Sequence, residues 1–69
     1  MKASSHGITL KTVQQPEHNC NGCYFDQPTY CAKADPRGPA VADLAEAVLT
    51  AEFIAGKSCN THPLIWVKE

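Results

Sequence analysis

Cys20 and Cys23 stand two residues apart in the stretch HNCNGCYFDQPTYC, residues 18–31, which carries most of the reactive side chains in this sequence. Cys31 closes the stretch, and Cys59 follows after 27 intervening residues in KSCNTH. A C-x2-C pair presents two thiolates to one ion from a single tight corner. Structural zinc takes four ligands tetrahedrally, mostly thiolates and imidazoles. Gly22 lies inside the corner, where the lack of a Cβ eases the turn. Cys20, Cys23, Cys31 and Cys59 are therefore the candidate ligands of one structural Zn2+. His62, three residues after Cys59, and His18, two before Cys20, are the alternatives if an imidazole replaces a thiolate. The chain has no second C-x2-C, and Tyr24 stands where zinc knuckles commonly place a glycine.

Two other uses of the sulfurs stand beside this one. Four cysteines allow three disulfide connectivities, with Cys20 or Cys23 bonded to Cys31 or Cys59 rather than to each other. A reducing cytosol opposes that arrangement. Redox catalysis by a thioredoxin-like C-x2-C needs a helix starting at the first cysteine, and the Asp26-Gln27-Pro28 sequence after Cys23 is turn-like instead.

The elements that must position these thiols are few. Sixty-nine residues make one domain, which buries only about 60% of its unfolded surface. Scaffolds of this size usually need a metal, disulfides or a partner chain. Residues 1–7 are small and polar and are expected to be a flexible N-terminus, leaving 8–69 as a single four-cysteine domain. ITLKTV, 8–13, alternates like a strand and ends at Pro16. ADPRGP, 34–39, is loop by composition. From Ala40 the chain is rich in helix formers, with Val41, Leu44, Ala45, Val48 and Leu49 on one face. This predicts a helix over about 40–53, where Glu52 would project into the apolar face and Phe53 and Ile54 would leave it. Leu64 to Val67 reads as a strand buried on both sides, paired with ITLKTV. The expected class is α+β: a zinc-stapled mini-domain of two or three short antiparallel strands and one helix.

Composition narrows the function. The net charge is −1, and the six Lys and Arg residues do not cluster, so the basic stripe typical of nucleic-acid binding is missing. No window approaches the ~20 apolar residues of a membrane span, and no leader-like run follows Met1. A cytoplasmic location is expected. There is no phosphate-binding or dinucleotide fingerprint and no arguable catalytic grouping among three scattered histidines. We read no enzyme. Tyr24, Phe25, Tyr30 and Trp66 are expected to shield the metal and fill a small core. Phe53 and Ile54, if helical, would be an exposed apolar pair suited to a protein partner or a second copy.

The layout Cys20, Gly22, Cys23, Tyr24, then Cys31, Cys59 and the apolar strand Leu64 to Val67 resembles a loose class of very small bacteriophage-encoded four-cysteine proteins. The similarity spans residues 20–67 and departs from the class in the alanine-rich stretch 40–55. It implies a phage or mobile-element accessory factor in the host cytoplasm that acts by protein–protein interaction. The leading expectation is thus a non-enzymatic zinc-binding interaction protein. The alternatives are a zinc-dependent nucleic-acid-binding module and a disulfide-stapled secreted protein, although Met1 speaks against a processed secreted chain.

Overall fold

His6 and Gly7 both adopt positive φ, 52° and 75°, as the central positions of a two-residue type I′ hairpin turn require. Glycine takes this conformation without strain, and histidine is among the side chains enriched there. The turn folds β1 (Lys2–Ser5) onto β2 (Ile8–Gln14), pairing Ala3 with Leu10 and Ser5 with Ile8. Thr12 N–H donates to the Met1 carbonyl at 3.1 Å, and the Met1 amino group donates to Thr12 Oγ1 at 3.0 Å. The segment expected to be a flexible N-terminus therefore supplies an edge strand. Its small polar residues hid a strand whose existence depends on the turn that follows. The computed structural model describes residues 1–17, 19–27 and 29–69.

β3 (Leu64–Lys68) adds antiparallel to the other side of β2, with Thr12 opposite Trp66 and Gln14 opposite Leu64. The sheet order is β1-β2-β3. This is the α+β class expected, with all three strands antiparallel and one helix. The pairing of ITLKTV with the C-terminal apolar run is as the sequence suggested.

α1 (Pro39–Ala55) runs slightly longer than the 40–53 expected. Pro39 occupies the first helical turn, where its missing N–H costs nothing. Gly56 ends the helix in the left-handed conformation, φ 68° and ψ 24°. Gly56 N–H donates to the Phe53 carbonyl and Lys57 N–H to the Glu52 carbonyl, at 3.3 and 3.2 Å. That reciprocal pair is a Schellman stop, and it reverses the chain toward Cys59. Leu44, Ala45, Val48 and Glu52 form the buried face, and α1 packs on the sheet over β1. Leu49, expected on that face, lies about half exposed.

The core joins Leu10, Leu44, Val48, Phe25 and Trp66, all essentially inaccessible. Phe25 comes from the cysteine loop, so the loop is part of the core and not a flap over it. Among the described residues, no helix is long and apolar enough to cross a membrane.

Candidate functional site

The cysteine loop is built from consecutive short turns. Cys23 N–H donates to the Cys20 carbonyl at 3.0 Å, and Asp26 N–H to the Cys23 carbonyl at 3.0 Å. Gly22 holds φ 83° within the first of these, and a Cβ there would meet Ile65 Cδ1 at 3.5 Å. The corner is docked on the sheet by Tyr24 N–H, which donates to the Trp66 carbonyl at 2.6 Å. The chain then returns: Asp26 bridges Cys31 in antiparallel fashion, and Ala32 N–H donates to the Phe25 carbonyl at 2.9 Å. The Tyr24 and Phe25 rings meet edge to face with centroids 5.4 Å apart.

Cys59 arrives from the far side, in a turn closed by Thr61 and His62 N–H groups donating to the Ser58 carbonyl at 3.1 and 2.9 Å. Thr61 Oγ1 accepts from Ser58 N–H at 3.2 Å and contacts His62 Nδ1 at 2.9 Å. Cys20, Cys23, Cys31 and Cys59 all line one cavity of about 230 Å³, together with His62, Asp26, Lys33 and Trp66. All four thiols are free of disulfide bonds. The side chains share this cavity without converging: among the described residues, no three His, Cys, Asp or Glu form a group that could hold a metal ion. The donor set has the chemistry zinc prefers and sits around one space. His18, the other alternative ligand, lies outside the described residues.

The Cys20 thiol is pushed up from its ordinary value, first by desolvation and then by the charges of Cys23, Asp26, Cys31 and Cys59. Negative charges gathered here would repel one another, and a divalent cation would relieve that repulsion.

Beside the sulfurs lies a buried polar trio that no local sequence pattern assembles. Lys33 Nζ donates to Glu52 Oε1 and Oε2 at 3.1 and 3.0 Å and to Cys59 Sγ at 2.9 Å. Trp66 Nε1–H donates to Glu52 Oε2 at 3.1 Å. The Lys33 and Glu52 side chains are only 9% and 4% exposed. Burial by itself lowers the Lys33 ammonium, but its hydrogen bonds to Cys59 and Glu52 outweigh that and hold it above the usual lysine range. Glu52, by its type an ordinary surface or capping carboxylate, is thus a buried partner instead. The signal was its place on the apolar helix face, which demands a compensating group. Nothing local named Lys33, 19 residues earlier.

Phe53 and Ile54 are 88% and 80% exposed because α1 continues straight through them to Ala55. The Tyr30 ring is covered by the Arg37 guanidinium, 3.8 Å from the ring centroid.

Comparison with protein-family models, curated proteins and solved structures finds no match.

Proposed function

We propose that this chain is a small non-enzymatic zinc-binding protein that works by contacting another protein. The observation that supports this reading best is the shared cavity: four cysteines from three separate turns border one space of about 230 Å³. Cys20, Cys23, Cys31 and Cys59 would hold Zn2+, with His62 on the same cavity as the substitute ligand. Zinc would supply fixed tetrahedral cross-linking of the cysteine loop to the turn after α1, and no open position for chemistry. Elemental analysis and native mass spectrometry test the reading together. One zinc per chain, with a large fall in thermal midpoint on chelation, is expected. A folded protein that takes up no zinc would sink it.

The role as a phage or mobile-element accessory factor in a host cytoplasm rests on the Cys20-Gly22-Cys23-Tyr24 resemblance. The exposed Phe53 and Ile54 support a protein or homodimer contact at the end of α1. Phe53→Ser with Ile54→Ser should leave the thermal midpoint within a few degrees, because neither side chain is in the core. It should also reduce self-association in sedimentation, or recovery of a captured protein. Unchanged association by the folded double variant removes this surface from the proposal. Nucleic-acid binding is the weaker reading, since the net charge is −1 and Arg37 covers Tyr30.

A further inference from the structure

We infer that Lys33 is a positioning residue for the zinc site, orienting the Cys59 sulfur as a ligand while Glu52 and Trp66 hold Lys33. The inference rests on the zinc reading above and adds to it residues that touch no metal.

The geometry is directional. Cys59 sits on an exposed turn, and among the described residues the hydrogen bond to its sulfur comes from the Lys33 ammonium at 2.9 Å. Lys33 cannot swing freely, because both oxygens of a buried carboxylate accept from it. Glu52 is held in turn by the Trp66 indole N–H. Three elements therefore meet in one chain of contacts: the turn after Cys31, α1 and β3. Ammonium and carboxylate cancel as a pair, so the trio alone has no electrostatic need of a sulfur. A thiolate near the ammonium changes that. Four thiolates on Zn2+ carry a formal surplus of two negative charges, and a buried donor aimed at one of them offsets part of it. Hydrogen bonds of this kind orient ligands, and losing one typically weakens metal affinity by about 10–100-fold.

Lys33→Met combined with Glu52→Gln tests this. The pair removes both charges, and the side-chain oxygen of the introduced glutamine can still accept from Trp66. The variant and the parent are titrated with zinc against a chromophoric chelator and loaded with Co2+ for absorption spectra. An apparent zinc dissociation constant about 10–100-fold higher, with a shifted thiolate-to-cobalt band, is expected. Glu52→Gln alone, which keeps the ammonium, should retain more of the affinity. Wild-type affinity and an unaltered cobalt spectrum in the double variant would overturn the role of Lys33 while leaving the zinc site standing. A parent that takes up no zinc overturns both. One measurement needs no variant: the Lys33 ammonium nitrogen signal of isotopically labelled parent should move on zinc loading. A signal that stays in place refutes the inference even if the double variant does not fold.

Discussion

Cys23→Ser is expected to leave the protein unable to retain the one equivalent of zinc proposed for it, and to lose its folded circular-dichroism signal at temperatures where the parent should remain folded. Cys23 supplies one arm of the C-x2-C corner, and its backbone already anchors two turns, through its N–H to Cys20 and its carbonyl to Asp26. Serine keeps those backbone bonds and removes only the proposed soft ligand, so the expected loss reports the sulfur. The effect is large because a core of this size contributes about 3–5 kcal/mol, whereas structural zinc in small domains brings an apparent ~10–16 kcal/mol. Cys59→Ser and His62→Ala separate the two ligand sets. Loss of zinc in the first with retention in the second identifies four thiolates; the opposite result assigns the fourth position to His62.

The pH dependence of the two forms should have opposite sign. In the metal-free fold the Cys20 thiol is raised, first by desolvation and then by neighbouring negative charge. A raised value means the fold binds that proton more tightly than the unfolded chain does. Its contribution is complete below the ordinary thiol value and disappears as pH climbs through the raised one. Zinc, bound as proposed, would demand the deprotonated sulfurs, so uptake should weaken as pH falls. Chelator competition across the neutral and mildly alkaline range measures this directly. Zinc affinity that is flat with pH would rule out thiolate ligation.

Lys33→Met alone should cost about 3–5 kcal/mol, because it strands a buried carboxylate whose remaining partner is the Trp66 N–H. Glu52→Ala should cost a similar amount by stranding the ammonium. Either loss rivals the entire stability of a small core, so each single variant should be largely unfolded without metal. Lys33→Met with Glu52→Gln should regain most of that loss, since no buried charge is left and the indole keeps an acceptor. Urea unfolding followed by Trp66 fluorescence provides the cycle. Single variants within about 1 kcal/mol of the parent would show the pair to be as weak as a surface salt bridge.

The legible parts of this fold were those written in local pattern. ITLKTV and LIWV announced two strands by β-branched and apolar content, and the alanine-rich run from 40 announced α1. Their pairing followed from the need to cover one apolar helix face. The cysteine corner was legible because a glycine inside C-x2-C admits the positive-φ conformation a tight turn uses, which Gly22 adopts. β1 was not, because Lys2 to Ser5 carry almost no hydrophobic signal and become a strand only when His6 and Gly7 turn them onto β2. Glu52 was half legible. Its helical phase placed it inward, but the counter-charge lies in a different turn, and only the tertiary fold brings Lys33 to it. The end of α1 was blurred for the same reason, since an acid on the buried face looks like a broken pattern until its partner is known.

That phase also makes α1 a ruler. Val48 and Glu52 are four residues apart on one buried stripe, and each added residue rotates everything downstream by about 100°. A single insertion between them would swing the carboxylate out toward water and carry the Gly56 reversal, with Cys59 behind it, to another bearing. Variation in chain length is thus far better accommodated at the 34–38 approach to the helix than within it, and the count of residues from Val48 to Gly56 is the dimension of this small scaffold least free to drift.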